Sequence, residues 1–99
     1  MKRKRIRVHS QAQLEINEAF DWYIKRSPDA AEAFLTEIGK SLAQIASQPQ
    51  LYPFYTKNTR RLVLAKFPYS VIFQEKDDVI LVVAVAHAKR RPRYWRERL

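Results

Sequence analysis

The sequence of 99 residues contains no cysteine, which excludes disulfide bonds and thiolate metal sites. Its two histidines have no cluster of carboxylates beside them, so we expect neither a metal centre nor another cofactor. No stretch approaches the roughly 20 apolar residues of a membrane-spanning helix, and no apolar segment follows the basic residues 1–5 as it would in a signal peptide. Because about 100 residues is a common domain size, we expect one domain over residues 1–99. Because the sequence has neither a signal-peptide pattern nor a spanning segment, we expect the protein in the cytoplasm and without a membrane partner.

Glycine is nearly absent as well. The one glycine, Gly39, lies within the second predicted helix, where it costs stability relative to alanine. Its presence there has two possible explanations: another element packs closely against the helix at Gly39, or the helix simply tolerates a glycine at this position.

Acidic residues are too few to balance the basic ones, and the formal net charge is +9. The excess is uneven, because residues 1–9 and residues 79–99 each carry a net charge of +5, and residues 50–74 hold four cations and no acid. Residues 10–48 carry a net charge of −3 instead. Such a field favours a polyanion or an acidic protein as partner, although a solvated basic face would also explain it.

The first elements follow from hydrophobic periodicity. Ile6 and Val8 alternate with cations, which predicts a short strand with one buried face. Ser10 followed by Gln13 has the capping-box pattern and predicts the start of a helix that ends near Arg26.

A second helix is predicted immediately after the first. Ser27 and Pro28 provide an N-cap and a first-turn proline, and helical spacing continues until Pro49. The very short connection makes the two helices an antiparallel hairpin. We expect Trp22 and Tyr23 to pack in the core or between the helices.

The second half of the chain changes to a strand pattern. Two strands are predicted from alternation, one in which Leu62 and Leu64 alternate with Arg61 and Val63, and one in which Tyr69, Val71 and Phe73 alternate with Ser70, Ile72 and Gln74. Residues 76–78 read as a hairpin turn. Residues 79–86 are apolar at every position, so both faces of this strand should be covered. The element order is β-α-α-β-β-β, and we expect an α+β domain in which the helical hairpin packs on a mainly antiparallel sheet of about four strands.

The most informative motif follows the last predicted strand. It has the form H-x-x-R-x-P-x-Y-W-x-x-R and comprises His87, Arg90, Pro92, Tyr94, Trp95 and Arg98. Groups able to hold a phosphate or to act on a proton emerge here from one rigid strand end, as a nucleic-acid or protein-docking site requires. The alternative is structural: His87 satisfies a backbone group, while Tyr94 and Trp95 fold back over the exposed side of the sheet with their polar tips in water.

These features together resemble the RelE/ParE superfamily of bacterial toxins over nearly the whole chain. The resemblance rests on the helical pair, on Phe67-Pro68-Tyr69-Ser70-Val71-Ile72-Phe73, and on Ala84-Val85-Ala86-His87 followed by Arg90. It implies a toxin of a type II toxin-antitoxin system, held inactive in a hetero-oligomer by an antitoxin whose segment masks the basic surface.

One branch of the superfamily implies an enzyme. RelE-like members are ribosome-dependent endonucleases in which the ribose 2′-hydroxyl attacks the adjacent phosphate of mRNA. That reaction needs a proton acceptor, cations for the developing charge and a proton donor. Here Arg61 and Arg90 would clamp the phosphate, His87 would exchange a proton, and Tyr94 would stack on the nucleotide or donate to it.

The other branch implies a binding activity. RelE-like sequences commonly carry cations at the positions of Val63 and Ser70, so the ParE branch, which poisons DNA gyrase by protein contact, is favoured. The surface predicted for the target or the antitoxin comprises Arg60, Arg61, Lys66, His87, Arg90, Tyr94, Trp95 and Arg98. A solvated strand edge would also explain Arg60 and Arg61. A third hypothesis, a basic RNA-binding domain without toxicity, rests on the charge alone.

Overall fold

The computed structural model describes residues 3–56 and 58–99. Its helices and strands, in chain order, are β1 Arg5–Val8, α1 Ser10–Ile24, α2 Pro28–Ser47, β2 Phe54–Thr56, β3 Thr59–Val63, β4 Tyr69–Lys76 and β5 Val79–His87. The strands form one sheet in the order β1-β5-β4-β3-β2, in which β1 runs parallel to β5 and the other neighbouring pairs are antiparallel. The predicted α+β class and helical hairpin are confirmed, with five strands in place of about four. Neither α-helix in these ranges is long and apolar enough to cross a membrane.

The strand missing from the prediction is β2. It has three residues, pairs with β3 through Phe54 and Arg60, and follows directly after Pro53. Side chains help to hold it, because the hydroxyl oxygens of Thr56 and Thr59 lie 2.7 Å apart in a hydrogen bond. Three residues are too few to show an alternation of polarity, which is why the segment reads as a loop.

The start of α1 differs from the prediction by one residue. His9, not Ser10, is the N-cap, and its Nδ1 accepts a hydrogen bond from the Gln11 N–H at 3.0 Å. The reason is the preceding strand, since the His9 N–H donates to the Val82 carbonyl at 2.9 Å and so extends the pairing of β1 with β5 up to the cap. The Gln13 amide donates further along the helix and does not close a capping box.

The second helix begins as predicted. Ser27 is the N-cap, its hydroxyl oxygen accepts from the Ala30 N–H at 3.2 Å, and Pro28 occupies the first turn. Close packing of another element does not explain Gly39: apart from its two chain neighbours and the nearby backbone of its own helix, no atom of the described residues lies within 4 Å of the position that a Cβ would take there.

The sheet is covered on both faces. On the helix side the buried core comprises Ala12, Ile16, Ala19, Phe34, Ile38, Ile45, Leu62, Leu64, Val71, Phe73, Ile80, Val82 and Val85. On the opposite side a smaller cluster comprises Ile72, Val83, Ala84 and Trp95. The prediction that both faces of β5 are covered is therefore confirmed, with the C-terminal tail, residues 88–99, on the second face.

The aromatic pair on α1 divides between core and solvent. Tyr23 packs against the helix-side core, as predicted, and its ring centroid lies 5.5 Å from that of Phe34. Trp22 is 53% exposed, so the prediction that it packs in the core is wrong. Successive residues of a helix point about 100° apart, so one neighbour can face the sheet while the other faces water.

Candidate functional site

The site is built on an open edge of β5. β1 pairs with β5 only from Val79 to Val82, and no other strand of the described residues continues this edge. Two side chains hydrogen-bond to the backbone there instead: the Glu15 carboxylate accepts from the Val85 N–H at 3.0 Å, and the Arg98 guanidinium donates to the Val83 carbonyl at 3.1 Å. Buried backbone groups need such partners, so α1 and the tail together replace a missing strand.

Glu15 is the centre of this arrangement. Its two oxygens accept hydrogen bonds from the two terminal nitrogens of the Arg98 guanidinium, each at 3.0 Å. Its Oε2 also accepts a hydrogen bond from the Tyr94 hydroxyl at 2.5 Å. The Glu15 and Arg98 side chains are only 10% and 15% exposed. A bidentate, largely desolvated pair of this kind is among the stronger polar contacts in proteins.

The environment of Tyr94 keeps its hydroxyl protonated. Burial raises the pKa of the phenol well above its usual range, and the hydrogen bond to Glu15 and the charge of Glu15 raise it further, against the opposing charges of Arg90 and Arg98. The Tyr94 hydroxyl is therefore a hydrogen-bond donor whose acceptor is Glu15.

Trp95 fixes the tail to the sheet. It is 2% exposed and packs in the cluster of Ile72, Val83 and Ala84. The backbone reverses just before it, at Arg93, which has a φ of 59°. The fold-back of Tyr94 and Trp95 is thus the arrangement found, but the Tyr94 hydroxyl donates to Glu15 and is not left in water. We call Tyr94, Trp95 and Arg98 the anchor.

Beside the anchor lies a small cationic cleft of about 120 Å³. Its lining includes Tyr55, Arg61, Ser70, His87, Arg90 and Tyr94. The Arg61 guanidinium stacks over the Tyr55 ring at 4.3 Å, and that of Arg90 stacks over the Tyr94 ring at 3.8 Å. No carboxylate of the described residues lines this cleft or forms an ion pair with either arginine. We call it the arginine cleft; its chemistry is that of an anion site.

His87 lines the arginine cleft and also a second, wider cleft. Its Nδ1 accepts from the Lys89 N–H at 3.0 Å, and its ring meets the Tyr69 ring edge to face at 5.0 Å. With Nδ1 used as an acceptor, a neutral ring carries its proton on Nε2. The predicted backbone role of His87 is thus present in the structure. The wider cleft has a volume of about 390 Å³ and is also lined by Trp22 and Glu18.

The residues predicted for a catalytic centre lie together. Arg61, His87, Arg90 and Tyr94 all line the arginine cleft. Val63 and Ser70, the two positions that lack a cation, are cross-strand partners in β3 and β4. The two positions that lack a cation are therefore direct neighbours across β3 and β4.

The residues predicted for a docking surface divide into three groups. Arg61, His87 and Arg90 line the arginine cleft, while Tyr94, Trp95 and Arg98 form the anchor. Arg60 and Lys66 lie elsewhere. Arg60 stacks over Phe54 at 3.9 Å and donates to the Tyr52 carbonyl at 2.7 Å, and Lys66 lines a separate cleft against α2.

Glu15 is the important residue that sequence reasoning missed. A signal was available, because Glu15 borders the apolar stripe of α1 formed by Ala12, Ile16 and Ala19, where a partly buried carboxylate must find partners. The sequence alone does not say that these partners lie at the opposite end of the chain.

Comparisons with known proteins all identify toxins as the relatives of this chain. A family model described as ParE toxin of type II toxin-antitoxin system, parDE, matches residues 6–92. The putative toxin Y4kP of Sinorhizobium fredii is 38% identical over 89 residues, which cover 88% of this chain and 93% of that protein. Toxin ParE2 of Mycobacterium tuberculosis is 28% identical over 93 residues, covering 90% and 86% respectively.

A solved structure shares the fold. A chain of the chromosomal ParDE TA system from P. aeruginosa superposes with a TM-score of 0.75, covering 85% of this chain and 95% of that one. Sequence identity between the two is 17%, so this similarity concerns the backbone arrangement.

Proposed function

Because the chain belongs to the ParE toxin family of type II toxin-antitoxin systems, we propose that it inhibits DNA gyrase by direct protein contact and is neutralised by a cognate antitoxin. Gyrase is the target that the resemblance to the ParE branch implies. Inhibition by contact requires a rigid, accessible basic surface and no proton transfer. The cations around the arginine cleft, on the end of a buried strand, supply such a surface.

The observation that carries the proposal is the commitment of the Tyr94 hydroxyl to Glu15. An endonuclease of the RelE type needs a donor for the leaving oxygen and an acceptor for the 2′-hydroxyl proton. Tyr94 donates inward, and its raised pKa keeps it from acting as a base. His87 in its neutral form already uses Nδ1 to accept from Lys89, so its remaining nitrogen is a donor.

The second candidate function is ribosome-dependent cleavage of mRNA. It is favoured by one observation, which is that Arg61, His87, Arg90 and Tyr94 line the same cleft. In that mechanism the two arginines hold the phosphate, and His87 releases Lys89 before it takes a proton.

The two functions are separated by testing the purified protein in both reactions. We expect it to block supercoiling of relaxed plasmid by gyrase and to leave mRNA intact in a purified translating system. Replacing Arg61 and Arg90 by alanine should weaken gyrase inhibition at least tenfold. The matched control is the Arg5→Ala, Arg7→Ala pair, which removes the same charge from exposed residues of β1.

Normal supercoiling in the presence of protein that still arrests growth would overturn the gyrase proposal. Ribosome-dependent cleavage that disappears in a His87→Ala variant would establish the mRNA endonuclease in its place.

A further inference from the structure

We propose that the arginine cleft is a carboxylate site, in which Arg61 and Arg90 hold an aspartate or glutamate side chain of the antitoxin. The inference rests on the proposed toxin-antitoxin pairing and adds to it the place and the chemistry of one contact. It follows from the state of the two arginines, the size of the cleft and the state of the aromatic rings around it.

The two arginines are arranged for binding before a ligand arrives. Each guanidinium is stacked on a tyrosine ring, Arg61 on Tyr55 and Arg90 on Tyr94, and stacking restricts the plane of the fork. Stacking leaves the N–H edge of a guanidinium available, and that edge matches a carboxylate or a phosphate. Within the described part of the chain, neither arginine has a carboxylate partner. The two forks together therefore form a cationic counterpart to an acidic group.

The size of the cleft limits the ligand. A volume of about 120 Å³ is below the roughly 300 Å³ at which sites for small molecules and cofactors begin. The cleft therefore has room for one small anionic group, such as a carboxylate with its methylene group, and is too small to enclose a whole cofactor.

The aromatic rings argue against single-stranded nucleic acid. Binding of that kind uses exposed aromatic faces on which bases stack. Here the guanidinium groups of Arg61 and Arg90 already stack on Tyr55 and Tyr94, and Trp95 is buried against the sheet. An acidic protein segment needs none of these faces, since it uses the arginine edges and the charge.

The anchor provides an internal example of the same contact. Arg98 also lies over the Tyr94 ring, at 5.2 Å, and its fork holds the Glu15 carboxylate with both nitrogens. Arg90 approaches the same ring without a carboxylate. A carboxylate supplied by a partner would give Arg90 the environment that Arg98 already has.

The chemistry is tested by NMR titration of the full chain, with the arginine Nε–Hε signals as the readout. The probe is a capped peptide of two glutamates, and the controls are the matching glutamine peptide and an RNA trinucleotide. We expect saturable shifts at Arg61 and Arg90 with the glutamate peptide, no response to glutamine, and binding of RNA at least tenfold weaker.

Substitution of the two arginines by lysine distinguishes bidentate binding by the guanidinium group from attraction by the positive charge alone. The Arg61→Lys, Arg90→Lys variant keeps its net charge but loses bidentate geometry, and we expect at least tenfold weaker binding of the glutamate peptide. The Arg5→Lys, Arg7→Lys variant is the matched control and should bind as the wild type does. Equal weakening by both variants, tighter binding of RNA, or shifts spread over all arginines would overturn the carboxylate site.

The occupant is tested with the cognate antitoxin that the proposed function requires. Calorimetry should show at least tenfold weaker binding of that protein to the Arg61→Lys, Arg90→Lys variant than to the wild type. Unchanged affinity would overturn the assignment of the site to the antitoxin. Gyrase inhibition is measured separately, so its failure would refute the proposed target without altering either titration.

Discussion

The two parts of the C-terminal motif use arginine in opposite ways. In the anchor, Arg98 is largely buried and forms a bidentate pair with Glu15. In the arginine cleft, Arg90 is exposed and has no carboxylate partner among the described residues. Both guanidinium groups lie over the ring of Tyr94. A single basic motif therefore contains one arginine that belongs to the fold and one that is available to a partner.

The difference shows how a short irregular tail can present a rigid surface. An exposed strand edge is a template for unwanted pairing, and Glu15 with Arg98 closes the edge of β5 at the place where β1 ends. Trp95 adds an apolar contact on the face of the sheet. With the tail held at its far end, Arg90 is held near the sheet although its side chain is exposed.

The largest expected effect comes from removing the apolar contact of the anchor. Trp95→Ala should lower the free energy of unfolding by about 4 kcal/mol, because a large buried ring is replaced by a cavity. Trp22→Ala is the matched control, and its exposed ring should cost about 1 kcal/mol or less. Urea unfolding followed by circular dichroism measures both. Equal losses at the two tryptophans would contradict the distinction between an anchored tail and an exposed helix face.

A second test breaks the polar half of the anchor. Glu15→Gln keeps the shape of the side chain but leaves Arg98 largely buried without a counter-charge, which should cost about 3 kcal/mol. Glu18→Gln, one turn further along α1 and exposed, should change the free energy of unfolding by no more than about 0.5 kcal/mol. Urea unfolding gives both values.

The same variant tests whether the anchor holds the arginine cleft in place. In Glu15→Gln, trypsin should cut after Arg90 faster than in the wild type, because the tail is released at its far end.

Arg90→Ala should leave the free energy of unfolding within about 0.5 kcal/mol of the wild-type value, since Arg90 is exposed. A large loss of stability from Arg90→Ala would mean that both arginines belong to the fold.

Much of the fold is predictable because it depends on local patterns. The continuous apolar run at residues 79–86 requires a strand covered on both faces, and the structure has one. Ser27 before Pro28 is a local cap signal, and it is correct. The cap at His9 was missed because it depends on the pairing of β1 with Val82, which is distant in sequence.

The division of the C-terminal motif could not be predicted for the same reason. The motif places Arg90 and Arg98 eight positions apart with similar neighbours. What distinguishes them is Glu15, which lies 83 positions before Arg98 and reaches it only after α1 has packed on β5. A carboxylate bordering an apolar helix stripe indicates that a partner exists, but the fold decides which arginine it is.

An effect smaller than that of Glu15→Gln is expected at the Tyr94 hydroxyl, which links the ring under both arginines to Glu15. Tyr94→Phe removes one hydrogen bond to a charged group and keeps the ring, so it should cost about 2 kcal/mol at pH 7. The pKa of Tyr94 is raised in the folded state above the value near 10 of an unfolded chain. This stabilisation is therefore complete below about pH 10 and declines as the pH rises further towards the folded pKa.

The difference in unfolding free energy between wild type and Tyr94→Phe should accordingly shrink above about pH 10, as urea unfolding between pH 7 and pH 11 would measure. Tyr23 and Tyr69, whose pKa values burial also raises, are present in both proteins and cancel in that difference. Arg98 and Glu15 are also present in both proteins. A difference that is constant with pH would show that the Tyr94 hydroxyl titrates alike in both states, and that Arg98 holds Glu15 without it.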